Sequence, residues 1–97
     1  MHVAVCRLTL YFPDNRSLKG KRQVMRSLTD RVKARFNVSI AEVADQDLWS
    51  HGVIGICAVS GDAQYARGMM DRVLDYAEGI LFEAQVTDVE CEVLDLN

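Results

Sequence analysis

The stretch SLKGKRQVMRSLTDRVKARF, residues 17–36, decides the fold of this chain. Met25, Leu28, Val32 and Phe36, with Leu18 and Val24 beside them, recur at helical spacing, and Ser17 supplies a side-chain oxygen suited to an N-cap. The spacing predicts a helix from Leu18 to Phe36, with Asn37 as a left-handed stop. Gly20 in its first turn costs up to ~1 kcal/mol relative to Ala. The same stretch holds most of the cationic charge: from Arg16 to Arg35 eight of the eleven Lys and Arg residues stand against Asp30 alone, a net of +7. From Asn37 to Asn97 two bases face twelve acids, a net of −10, and the whole chain carries −3. A basic element on an acidic body points to one polyanion-facing surface.

Outward from this helix, both flanks read as strands. Before it, Ala4, Cys6, Leu8, Leu10 and Phe12 alternate with Val3, Val5, Arg7, Thr9 and Tyr11. Pro13-Asp14-Asn15 ends the run with turn chemistry. After it come Val38–Val43, a polar loop at Ala44–Asp47, and Val53–Ser60, which is apolar almost throughout, as a covered central strand should be. Ser60-Gly61-Asp62 opens a second helix, whose inward stripe includes Ala66, Met69 or Met70, Val73, Ala77, Ile80 and Leu81; Gln85–Leu96 is the last strand. The order βαββαβ predicts an α+β, ferredoxin-like single domain over residues 1–97: a four-stranded antiparallel sheet with two helices on one face. Right-handed crossovers place the first and third strands at its centre. Val3 and Val5 then lie on the open face, with Ile54 and Ile56, or the residues alternating with them, expected beside them. An aliphatic open face predicts a homodimer formed through it, or cover from the Trp49 loop.

SLKGKRQVMRSL, FNVSIAEVADQDLW and GVIGICAVSG together resemble the YlxP-like family of small bacterial proteins, a domain of unknown function, over essentially the whole chain. The most specific parts are Ser17-Leu18-Lys19 with Lys21-Arg22, and Phe36-Asn37-Val38-Ser39 with Ala41-Glu42-Val43. The resemblance implies a ferredoxin-like fold, a bacterial cytoplasmic setting, and genes that often lie beside those of translation-initiation and ribosome-assembly factors. It brings no catalytic residues. An acidic residue where Gly20 stands would complete a capping box with Ser17.

Arg16, Ser17, Lys19, Lys21, Arg22, Arg26 and Lys33 form the candidate polyanion site: a helix start with free amides, continued by a stripe at Lys19, Arg22, Arg26 and Lys33 and flanked by Arg31 and Arg35. Structured RNA or the ribosome is the expected partner. The competing readings are a basic face that only solvates the helix, and a dimeric protein-interaction or small-ligand-sensing module that uses the open sheet face. No aromatic residue stands in the third strand, so an RRM-type stacking surface is absent. The chain has no nucleophile–base pair, no metal-ligand spacing and no phosphate-cradling glycine loop, and therefore implies a non-enzymatic protein without cofactor or metal. Asp45, Asp47 and His51 read as a polar loop, Glu42 as a solvent-facing edge charge or a partner of a base such as Arg35, and Trp49 as a cap on the core. Cys6, Cys57 and Cys91 read as reduced, buried hydrophobes in a row on the inner face. No apolar run is long enough to span a membrane, and the start lacks a signal-peptide pattern, so the expected location is cytoplasmic.

Overall fold

The computed structural model describes all residues 1–97. Its elements are β1 (His2–Tyr11), α1 (Leu18–Arg35), β2 (Ser39–Ala44), β3 (His51–Ser60), α2 (Ala63–Ile80) and β4 (Gln85–Asp95). The strands form one antiparallel sheet in the order β2-β3-β1-β4, so β1 and β3 are central, as the crossover rule requires. Neither helix is long and apolar enough to cross a membrane.

Alternation in β1 sets the two faces. Ala4, Cys6, Leu8, Leu10 and Phe12 are all buried beneath the helices, where they meet Met25, Leu28 and Val32 of α1 and Ala66, Met70, Val73 and Ala77 of α2. The register pairs Leu8 with Ile54 and Cys6 with Ile56, and residues directly opposite share a face. Ile54 and Ile56 are therefore core residues and do not join Val3 and Val5 on the open face. Val53, Gly55, Cys57 and Val59 do, opposite Thr9, Arg7, Val5 and Val3. The same pairing turns Cys57 away from Cys6, so the three cysteines form no inner row.

Helix ends follow local chemistry. Ser17 Oγ accepts from Gly20 N at 3.1 Å, and Asp62 Oδ1 accepts from Gln64 N at 2.9 Å. At the far end of α1, Phe36 N donates to Val32 O at 2.9 Å while Phe36 is already extended at φ −129°. Asn37 is thus no left-handed stop; the chain leaves the helix directly into a strand-like conformation. The one non-glycine residue at positive φ is Asp45, at 58°, in the turn between β2 and β3.

Candidate nucleic-acid interface

The helical period divides the cations of α1 into two environments. Lys19, Arg22, Arg26 and Lys33 stand exposed along one solvent-facing stripe, with Arg16 exposed just before the cap and Arg31 and Arg35 exposed on the flank. No carboxylate lies within ion-pair distance of any of them: the molecule's ion pairs are Arg7–Glu90 and Lys21–Glu42, with His2 Nδ1 3.4 Å from Asp95 Oδ1 as a third when the imidazole is protonated. Lys19, Arg22, Gln23, Arg26, Ser27 and Asp30 line a shallow depression on α1 that contains no apolar side chain. Arg35 is engaged differently, its guanidinium lying 4.8 Å from the centre of the Tyr76 ring, which ties the end of α1 to α2.

Lys21 departs from its expected role. It is wholly buried, and its Nζ donates to Asp45 O and Leu48 O, each at 2.6 Å, with Glu42 Oε2 3.1 Å away. Two of the ammonium's donors are spent on backbone carbonyls, and burial beside the Glu42 carboxylate keeps the group away from a phosphate. The reason is helical phase: Lys21, Met25, Leu28 and Val32 stand at i, i+4, i+7 and i+11, so Lys21 occupies the first position of the buried stripe. Gly52 makes room for it. A Cβ at position 52 would come within 2.8 Å of Met25 Cε and 3.3 Å of Lys21 Cε. Glu42 is accordingly the partner of Lys21, not of Arg35, and its side chain is only 20% exposed.

The turn that Lys21 grips carries Trp49. Leu48 O is held by Lys21, Trp49 O by Asn15 Nδ2 at 2.7 Å, and Ser50 O by Phe12 N at 2.8 Å. Three successive carbonyls are thus fixed by the segment entering α1. The Trp49 side chain nevertheless does not cap the core: the residue is 46% exposed and lies outside the buried cluster. His51 turns to Ser50 Oγ and to the Tyr11 ring, away from Asp45 and Asp47.

On β4, Cys91 lies opposite Cys6, and the two form a disulfide where reduced packing cysteines were expected. Cys57 remains free and half-buried. Arg7 and Glu90 face each other in the same pair of strands. Their hydrogen bond and mutual attraction hold the Glu90 carboxyl below the usual carboxylate range and raise Arg7 further.

Fold and surface together define a small ferredoxin-like α+β protein with an unpaired cationic helix face. The chain belongs to the family described as "Protein of unknown function (DUF503)", whose model matches residues 3–91. It is 39% identical over 75 residues to "Uncharacterized protein YlxP" of Bacillus subtilis (strain 168), a match covering 77% of this chain and 79% of that one. Among solved structures it is similar in fold to the de novo designed protein Foldit4, with a TM-score of 0.55, 13% identity and full coverage of both chains. It is likewise similar to a dimeric ferredoxin-like protein of unknown function from Thermobifida fusca YX, with a TM-score of 0.51 and 13% identity over 97% of this chain and 92% of that one.

Proposed function

We propose that this protein is a non-enzymatic, cytoplasmic binding protein that docks on structured RNA, in the setting of the ribosome or its assembly, through the exposed bases of α1. One observation carries this reading. Arg16, Lys19, Arg22, Arg26 and Lys33 are exposed and lack carboxylate partners in a molecule with a three-acid excess, whereas Arg7 and Lys21 are paired. Fourteen residues separate Lys19 from Lys33, a rod of about 21 Å at the α-helical rise, along which phosphates can be tracked without reading bases. Lys21 contributes by holding the β2–β3 turn and makes no contact with the ligand.

The test is co-sedimentation with ribosomal particles at low and moderate salt, comparing the natural protein with Arg22→Glu/Arg26→Glu/Lys33→Glu. Loss of sedimentation in the variant, with an unchanged circular-dichroism spectrum, supports the reading. Equal sedimentation of the two proteins removes it.

A second reading rests on the open sheet face. Val3 lies between Val59 and Leu94 in register, and Val59 is 65% and Leu94 46% exposed. Such a row favours burial against a second copy of the chain; a ferredoxin-like protein of similar fold is dimeric. Sedimentation equilibrium of the natural protein and of Val59→Lys distinguishes the two states. A monomer at high concentration removes the dimer.

A further inference from the structure

We propose that Cys6 and Cys91 are a reversible thiol-exchange site, opened by a dithiol, that clamps the edge strand β4 to the sheet. It is independent of the RNA-binding reading.

The two sulfurs are unequally placed. Cys6 is 4% exposed on the central strand, under the helices, whereas Cys91 stands exposed on β4. Both line a cleft of about 230 Å³ between α2 and β4, whose wall includes Met70 and whose charged groups are Arg67, Asp71 and Glu92. The cleft exists because α2 packs over the central strands and leaves β4 largely uncovered: of its residues only Val86 and Val93 are even half-buried. Exposed disulfides are the ones open to reduction, and a sulfur in a cleft is the one an entering thiolate reaches. Two carboxylates against one guanidinium on the wall give a reductant bearing further anionic groups no electrostatic attraction, which favours a dithiol with no charge besides the attacking thiolate. Cys57 cannot take part within one molecule, because it projects from the opposite face of the sheet.

A thiolate of the dithiol attacks Cys91 Sγ, the Cys6–Cys91 bond breaks, and its electron pair leaves on Cys6 Sγ, which takes up a proton. The second thiolate of the dithiol attacks its own sulfur in the mixed disulfide and closes a disulfide in the reductant. Cys91 leaves as a thiolate and is protonated. Two electrons and two protons have passed to the protein, and the dithiol has become a disulfide.

Little besides the ladder then holds β4. With few buried side chains, the strand keeps Arg7–Glu90, His2–Asp95 and the pair of bonds between Met1 and Leu96. Opening the clamp frees an edge whose local stability is low.

The experiment equilibrates the folded Cys57→Ser protein with mixtures of oxidised and reduced dithiothreitol, alkylates the free thiols, and follows hydrogen exchange in β4 and β3. The expected result is one two-electron transition in native buffer between zero and two free thiols. On reduction, exchange in β4 accelerates by roughly tenfold or more while β3 is unchanged. The Cys57→Ser/Cys91→Ala protein must show no response to reductant. Failure of the Cys6–Cys91 bond to form in oxidised dithiothreitol overturns the proposal. So does a bond reduced only after denaturant is added, or equal β4 exchange in the two states.

Discussion

Lys21 shows how a base within a cationic segment can serve the core and not the surface. Its ammonium links α1 to the turn between β2 and β3, giving Leu48 O a partner and joining Leu48 N on Asp45 O. Lys21→Met keeps the stem's volume and removes the charge, leaving Glu42 without its counter-charge. We expect a loss of about 3–5 kcal/mol in urea unfolding. Lys21→Met/Glu42→Gln should recover part of that loss but not all, since Leu48 O remains unbonded while Asp45 O keeps only Leu48 N. Gly20 makes the converse point. Helix propensity alone makes Gly20→Ala favourable by up to ~1 kcal/mol. Here, however, a Cβ at position 20 would run into Asn15 Oδ1, and that amide bridges Ser17 O and Trp49 O. Gly20→Ala should therefore show no gain in the natural protein and a gain in an Asn15→Ala background, a coupling that a double-mutant cycle measures directly.

Among elements, β4 is the most sensitive to conditions, because its ties to β1 are exposed. The depressed Glu90 carboxyl fixes the direction of its pH dependence. A carboxylate whose folded pKa lies below its unfolded value contributes stability above the unfolded pKa, and loses that contribution as pH falls through the folded one. NMR titration should find Glu90 protonating at lower pH than an ordinary glutamate, and Arg7→Gln should return it toward the usual range; salt should do the same, as both side chains are exposed. Element order, strand order and the inward residues of β1 and of both helices were legible in the sequence, because each depends on a local period. What was not legible depends on register or phase. Val53–Ser60 is apolar on both faces, so only its pairing with β1 reveals that Ile54 and Ile56 point inward. The Cys6–Cys91 bond likewise needs the β1–β4 register. Lys21 was within reach: it stands four residues before Met25 and seven before Leu28, a spacing that charge counting overlooks. The exposed stripe at Lys19, Arg22, Arg26 and Lys33 follows from the same period and is present as read.

At the scale of the whole molecule, charge separation decides how a polyanion meets the protein. Seven exposed bases on or beside α1 face outward while the remainder of the chain is acidic, so the RNA proposed as partner would be attracted to one side and repelled from the others. Binding of this kind is driven by counterion release and must weaken steeply with salt. If about five of these bases neutralise phosphates, the logarithm of the affinity should fall with log salt at a slope of roughly −4, a loss of about 10²-fold between 50 and 200 mM. Removing one exposed base, as in Arg26→Gln, should lower the slope by about 1 and weaken binding similarly for unrelated RNA sequences, as contacts to phosphates carry no sequence information. Arg67→Gln, on α2, should leave the slope unchanged. Fluorescence anisotropy of a labelled RNA hairpin at several salt concentrations measures all three proteins. A slope near zero, or an equal effect of Arg26→Gln and Arg67→Gln, would show that the cations of α1 serve only to keep that face of the helix in water.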